Sequence, residues 1–431
     1  MEFVGVSASK RSASIQTIAA QTIIAGHHTI AAAQHEDGQT NLANDMMQHR
    51  GDDEQTGGEA PGNAFIAGTA VLDGPPVKDR TAVSLPDLSI GDVHVGFPVV
   101  QAALSGYSDL PMRVIARRHG ASYTVCEVML DQFLLSLTDR QRTRHFLDIH
   151  PDEPPVGGQL MGAEPEQFAA GAAKLAAAGF NVIDVNFGCP VKKVLGRCRG
   201  GFHLSQPETA VEVLRLTRQS VPEHIPVSLK MRRGIDDSVE SRDKFFRILD
   251  AAIDLGYSAV TVHGRTVVQR YIGPSRWSFL KEVKSHVGDA IKLLGSGDLF
   301  TAADVMAMID QTGVDGVTIA RGAIGNPWIF DHCRALAAGR PLPDPPTLRQ
   351  QSIVMNDHFD LCEQSYGVDR APRLMRKFCI KYTANHPDHA EIRSLFTRIK
   401  TRDDFDNVVA EHYDDRPGVH VDPAVHRGQG E

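Results

Sequence analysis

From residue 97 onward the chain repeats one local pattern eight times, a short apolar run rich in β-branched residues followed by a stretch of helical periodicity. The runs are FPVVQAA (97–103), YTVCEV (123–128), VGGQLM (156–161), VIDVNFG (182–188), VSLKMR (227–232), AVTVHG (259–264), IKLLGSG (291–297) and GVTIARG (316–322). Continuous apolar runs mark strands covered on both faces, and helical connections between them set neighbouring strands parallel. The intervals read as helices: PEQFAAGAAKLAAAG (165–179) carries apolar residues at i, i+3 and i+4 and ends at Gly179. Eight such units fit a closed (β/α)₈ barrel, whereas a doubly wound sheet more often stops at about five or six strands. The predicted fold is therefore α/β, a TIM barrel over residues 91–339.

The flanks read differently. Residues 1–90 are rich in Gln, His, Asp, Gly and Thr without sustained periodicity, which predicts a disordered extension. The proline-rich stretch RPLPDPP (340–346) ends the last barrel helix and begins a second region. Residues 340–413 show amphipathic stretches such as APRLMRKFCIKYTA (371–384) and almost no strand signal, which predicts a small helical bundle; residues 414–431 read as a disordered tail. No apolar run approaches the roughly 20 residues of a membrane helix, so a cytoplasmic protein with no membrane partner is expected. Six cysteines without a C-x-x-C pair predict free thiols and no metal site.

The net charge of −8 conceals an uneven distribution. Residues 1–85 hold ten acids and five bases, and residues 403–431 eight acids and two bases, so the acidity sits at the ends. Residues 370–402 carry nine bases (Arg370, Arg373, Arg376, Lys377, Lys381, Arg393, Arg398, Lys400, Arg402) against Asp388 and Glu391. From charge alone, a solvated helix face and a nucleic-acid backbone site are equally good readings.

In a barrel of this kind the active site lies at the C-terminal ends of the strands. There the sequence places Gln159, Asn186, Cys189, Lys230, Arg232, His263 and Arg265. A single Lys or His at a strand end is most often a solvated or satisfied polar group. A Lys, a His, a Gln and an Asn together suit a flavin ring, whose reduced form is anionic near N1 and whose pyrimidine edge needs amide partners. The last two strands end in GSGD (295–298) and ARGAIGNP (320–327), where backbone N–H groups beside Arg321 would form a phosphate site. Cys189 follows the fourth strand and opens the loop VKKVLGRCRGG (191–201). A lone Cys is usually a small buried apolar residue, but at this strand end a thiol can deliver a proton to carbon. Cys198, in the same loop, is a rival.

Seven segments together resemble the tRNA-dihydrouridine synthases over about residues 95–402. They are SGYSDLPMR (105–113), GGQLMG (157–162), VIDVNFGCPVKKV (182–194), LKMRRG (229–234), VTVHGRTVVQRYIG (261–273), GSGDL (295–299) and ARGAIGNPWIF (320–330). The stretch RLMRKFCIKYTANHP (373–387) is similar to that family's tRNA-binding helical domain. The resemblance implies an FMN enzyme that reduces C5=C6 of particular uridines in tRNA to dihydrouridine, with NADPH as electron donor. It implies hydride transfer from flavin N5 to C6 and proton donation to C5 by Cys189. Gln159, Lys230 and His263 match positions that hold the isoalloxazine, and Gly297, Arg321 and Gly322 match those around the FMN phosphate. Asn186 and Arg265 match positions near the uracil. Arg373, Arg376 and Lys377 are expected on the tRNA side. A monomer is the favoured assembly. The chain departs from the family pattern at Ala102, Ala103 and Leu104, where Ala-Pro-Met is common, and at Ser296, Cys198, Arg199, Phe202 and His203. Two alternatives stay open: an FMN-dependent dehydrogenase of a free pyrimidine, of the dihydroorotate type, and a catalytically inactive RNA-binding barrel.

Overall fold

The structure is a computed structural model that describes residues 85–138 and 144–423. Most of the predicted extension (1–84) and the end of the predicted tail (424–431) lie outside the described residues.

The described chain opens with an antiparallel hairpin, β1 (Leu88–Ile90) and β2 (Val93–Gly96). The eight predicted runs then form parallel strands: β3 (Val99–Gln101), β4 (Thr124–Val125), β6 (Val156–Met161), β7 (Val182–Phe187), β8 (Val227–Arg232), β9 (Ala259–His263), β10 (Lys292–Ser296) and β11 (Gly316–Ile319). The second run is interrupted after Val125 and resumes as β5 (Met129–Leu130), which pairs with β6. β11 pairs back to β3, and β4 bridges β3 and β6, so the sheet is a closed barrel of eight. Its helices are capped as their sequences require: Ser238 accepts from the N–H of Ser241, and Thr301 and Asp304 form a capping box.

The floor of the barrel is apolar. Val100, Val125, Val182, Ala259 and Leu294, from five strands, form one buried cluster with Leu88, Ile90 and Val95 of the hairpin. The hairpin therefore plugs the N-terminal end. The sequence reading ran the extension to residue 90 and so did not anticipate β1; three residues between Pro86 and Gly91 carry too little periodicity to register. Within the barrel a void of about 20 Å³ remains, room for one water. Any larger ligand has to sit on the C-terminal mouth.

Beyond the proline-rich connector, helices Leu348–Tyr366, Ala371–Tyr382, His389–Phe396 and Arg402–His412 form the predicted bundle around buried Phe359, Phe378, Tyr382, Phe396 and Phe405. The bundle is seated against the barrel. Tyr107 stands edge-on to Phe378 at 5.7 Å, Tyr366 Oη donates to Asp109 Oδ2 (3.1 Å), and Asn385 Nδ2 donates to the Gly325 carbonyl (3.1 Å). The predicted tail is ordered in part. Leu348 N–H donates to the Arg416 carbonyl and Val419 N–H to the Asn385 carbonyl, so residues 416–419 close over the bundle. Among the described residues no helix is long and apolar enough to cross a membrane, and no cluster of His, Cys, Asp and Glu could hold a metal ion.

Glu127 is half-buried in the seam between barrel and bundle, beside Asp109, Lys377 and Arg113. Burial first, and Asp109 second, push its carboxyl up to about 7. A carboxyl raised on folding contributes stability at low pH that is lost as pH rises through the folded value. Glu127→Gln is therefore expected to raise the thermal midpoint more at pH 8 than at pH 5, a difference that paired melting curves will read.

Candidate active site

Strand register decides which side chains share the mouth. Gln159 of β6 pairs with Asp184 of β7, Asn186 of β7 with Lys230 of β8, and Arg232 of β8 with His263 of β9; Ser296 of β10 also faces His263. Because alternate residues of a strand point inward, these groups stack in tiers, with Gln159, Asp184 and Ser228 lowest, then Asn186 and Lys230, then Arg232 and His263. Hydrogen bonds tie the two lower tiers. Gln159 Nε2 donates to Asp184 Oδ2 (2.7 Å), Ser228 Oγ to Asp184 Oδ1 (2.6 Å), and Asn186 Nδ2 to Gln159 Oε1 (2.7 Å).

The upper tier is a field of positive charge. Burial, then Arg232, Lys230, Arg265 and Arg321, hold the His263 ring well below its ordinary range, so it is neutral at pH 7. Burial lowers Lys230 to about 8, partly offset by Asp184. Arg232 is fixed from three sides, with Nε donating to the Gly188 carbonyl (2.9 Å) and Nη1 to the carbonyls of Thr266 (2.8 Å) and Arg270 (2.6 Å). Arg321 lies over the rings of Tyr271 (5.0 Å) and Phe300 (5.2 Å). With Arg265 held on Asp298, the cations Lys230, Arg232 and Arg321 around one neutral ring still favour an anionic guest.

Cys189 stands at the rim of this field. Its thiol is half-buried, and burial pushes it up from its ordinary value while Arg232 pulls it partly back. The loop it opens returns onto it. Gly201 N–H donates to the Cys189 carbonyl (3.0 Å), and at Gly200, whose φ is +58°, a Cβ would stand 2.8 Å from Cys189 Cβ. Only glycine fits there. Cys198 is exposed, at φ +56°.

Other predicted residues are placed less openly. Arg265 is buried, with Nη2 on both oxygens of Asp298 (2.8 and 2.9 Å) and Nε on the Gly273 carbonyl (2.8 Å). Its guanidinium braces the loop after β9 rather than standing in the opening. Gly297 has φ +115°, and a Cβ there would lie 2.4 Å from Ser275 Oγ; a Cβ at Gly322 would lie 2.2 Å from the Leu299 carbonyl oxygen. Both glycines are required by protein packing itself. Lys377 donates to the Gly106 carbonyl and lies 4.6 Å over Phe378, and Arg376 Nε donates to the Ile399 carbonyl (2.9 Å). Of the three bases expected on the tRNA side, Arg373 is the exposed one.

Sequence reasoning gave no role to Asp184, Ser228 or Asp298. Asp184 left a signal, an acid within the otherwise apolar VIDVNF. Ser228 and Asp298 are ordinary residues until the register brings Ser228 beside Asp184 and a positive φ of 61° turns Asp298 toward Arg265.

Residues 100–416 match the family described as dihydrouridine synthase. The chain belongs to the dihydrouridine synthase family. It is 34% identical over 338 residues to the "Probable tRNA-dihydrouridine synthase" of Mycobacterium tuberculosis (strain CDC 1551 / Oshkosh), covering 76% of this chain and 85% of that one. The "Probable tRNA-dihydrouridine synthase" of Rickettsia prowazekii (strain Madrid E) is 31% identical, with 76% and 97% covered. The "tRNA-dihydrouridine synthase B" of Xanthomonas axonopodis pv. citri (strain 306) is 32% identical, with 75% and 97% covered.

Against the pattern of the dihydrouridine synthase family, the bulky loop residues have structural work. Arg199 Nη2 donates to Gln132 Oε1 (2.8 Å), and the buried His203 ring lies on Phe187 at 4.6 Å with Nε2 3.0 Å from the Gly162 carbonyl. They fasten the Cys189 loop to the barrel. The basic run of this dihydrouridine synthase family member is also partly spent internally: Arg402 pairs with Asp360 (2.6 Å) and Asp406 (2.9 Å), and Lys381 is buried. Arg370, Arg373, Arg393, Arg398 and Lys400 remain exposed.

Proposed function

We propose that this chain reduces the C5=C6 bond of uridines in tRNA to dihydrouridine, with FMN as bound cofactor, NADPH as electron donor and Cys189 as proton donor. The observation that carries the reading is the stacking of Gln159, Asn186, Lys230 and His263 in tiers that rise to one cationic mouth, with Cys189 at its rim, in a member of this family. Relatives named as tRNA-dihydrouridine synthases supply the substrate class. We read residues 91–339 as the FMN-binding barrel and 340–413 as the tRNA-binding region of a cytoplasmic monomer.

The residues present fit FMN. Lys230 and His263 offer donors for the ring, Gln159 offers an amide, and Arg321 beside the Gly322 turn offers charge for the phosphate. When bound, FMN supplies the hydride. The chain's own residues do the rest. Cys189 Sγ keeps its proton at neutral pH because burial raises the thiol, and Arg232 favours the thiolate that donation leaves behind. Asn186 stands on the uracil side of this reading, and Arg265, drawn onto Asp298, braces the loop beside it. A base reaches the mouth only by leaving its stack, and the exposed bases of the helical region anchor the backbone while it does so.

The test is the visible spectrum of purified protein, followed by anaerobic reduction with NADPH and reoxidation with unmodified tRNA. Yellow protein reoxidised by tRNA supports the reading. Bound flavin that tRNA never reoxidises would point to a free pyrimidine as substrate, and protein that cannot be loaded with FMN would leave an RNA-binding barrel.

Two further results are expected. Lys230 loses its proton near pH 8, so FMN affinity measured by fluorescence titration should fall about tenfold as pH rises from 7 past 9, and Lys230→Met should be weak and pH-independent over that range. Replacing Arg373, Arg393 and Arg398 by Gln should weaken binding to tRNA of any sequence and flatten the slope of log K against log salt by about 0.7–0.9 per lost phosphate contact.

A further inference from the structure

Asp184 lies inside the barrel in the lowest of the three tiers, 6% exposed. It accepts from Ser228 Oγ and from Gln159 Nε2, and from Gln159 a chain of bonds climbs to the mouth. Asn186 Nδ2 donates to Gln159 Oε1 (2.7 Å), and Gly188 N–H donates to Asn186 Oδ1 (2.8 Å). The next residue is Cys189. Each amide in this chain has a donor end and an acceptor end, so the chain has a direction, and a carboxylate that only accepts imposes it from below. Burial raises the Asp184 carboxyl from its ordinary value, and the bonds from Ser228 and Gln159, then the Lys230 charge, pull it partly back.

We propose that Asp184 is a positioning residue that fixes which way the amides of Gln159 and Asn186 face and, through Gly188, where the Cys189 thiol stands. Its bearing on chemistry rests on the flavin reading above; the hydrogen-bond role does not, and is tested without flavin. An amide group turned over would present a donor where a bound group or Gly188 N–H needs an acceptor, and would leave a buried donor unsatisfied. Asp184 prevents that reversal because it cannot donate.

The experiment is a double-mutant cycle in the apoprotein. Asn186→Asp sets a second acceptor against Gln159 Oε1, and with Asp184 below, Gln159 cannot satisfy both by turning over. Asp184→Asn alone still accepts from Gln159. In the double variant the amide at 184 can donate upward, Gln159 can turn over and donate to the carboxylate at 186, and Gly188 N–H keeps an acceptor. The readouts are the rate of iodoacetamide alkylation at Cys189, separated from Cys198 by peptide mass, and the thermal unfolding midpoint. Asn186→Asp is expected to speed alkylation about tenfold, and Asp184→Asn and the double variant to stay within about threefold of wild type. Both variants with a carboxylate at 186 share its effect on the thiol, so their difference isolates Asp184. If Asn186→Asp lowers the unfolding midpoint, the double variant is expected to restore it. A double variant as reactive or as destabilised as Asn186→Asp, or an Asn186→Asp chain indistinguishable from wild type, overturns the proposal.

Discussion

A Cys189→Ala chain is expected to bind FMN and accept electrons from NADPH as the wild type does, yet to reduce unmodified tRNA about 10²–10⁴-fold more slowly, the usual cost of losing a positioned general acid. The expectation follows from placement. The thiol is half-buried at the rim of the cationic mouth, held protonated by burial, and pinned by Gly200 and Gly201. Cys198 makes the control: it is exposed in the same loop, so Cys198→Ala is expected to retain nearly full turnover. Single-turnover reoxidation of reduced protein by tRNA separates the two variants. Equal loss in both would show that loop integrity, rather than a particular thiol, limits the reaction.

Glu153→Gln is expected to have the largest effect on stability, about 3–5 kcal/mol, because it leaves a buried guanidinium without its counter-charge. Arg113 and Glu153 are both almost wholly buried, with Nε 2.5 Å from Oε1 and Nη2 3.4 Å from Oε2. The pair is further tied down, with Arg113 Nη1 donating to the Ser108 carbonyl (3.1 Å) and His150 N–H donating to Glu153 Oε2 (2.6 Å). It joins the helix Leu110–Arg118 to the segment that leads into β6. Replacing both partners together, as Arg113→Met with Glu153→Leu, removes the orphaned charge and should cost less than Glu153→Gln alone. Urea unfolding of the single and double variants checks this, and a double variant no more stable than the single would show that packing rather than charge holds the seam.

The barrel was legible because its eight strands are buried on both faces and so read as uninterrupted apolar runs, each closed by polar residues at the mouth. Gln159, Asn186, Lys230 and His263 could be assigned to the mouth side of their strands from position in each run, but the register sets them in three successive tiers. What escaped depended on neighbours that are distant in sequence. Ser228 matters only because it meets Asp184, forty-four residues earlier, across two paired strands. The basic run looked uniformly solvent-facing, but Lys377 is drawn onto Gly106 and Arg402 onto Asp360, contacts 271 and 42 residues away in the chain. The hairpin and residues 416–419 were missed because two or three residues of backbone pairing leave no period to detect. Arg265 kept its predicted location at a strand end, but Asp298, in a backbone conformation rare for a residue with a side chain, turns it inward.

The hairpin that seals the barrel floor also sets a limit on how the chain can be shortened. Ile90 and Val95 share a buried cluster with Val100, Val125 and Leu294, so the first strand of the barrel is not where the folded unit begins. A version trimmed to residue 97, the natural cut if only the eight repeats are counted, would open five strands' worth of apolar floor to water and invite aggregation. One trimmed to residue 85 keeps the stopper in place. Expression of the two truncations side by side would therefore reveal in yield what the hairpin contributes in burial.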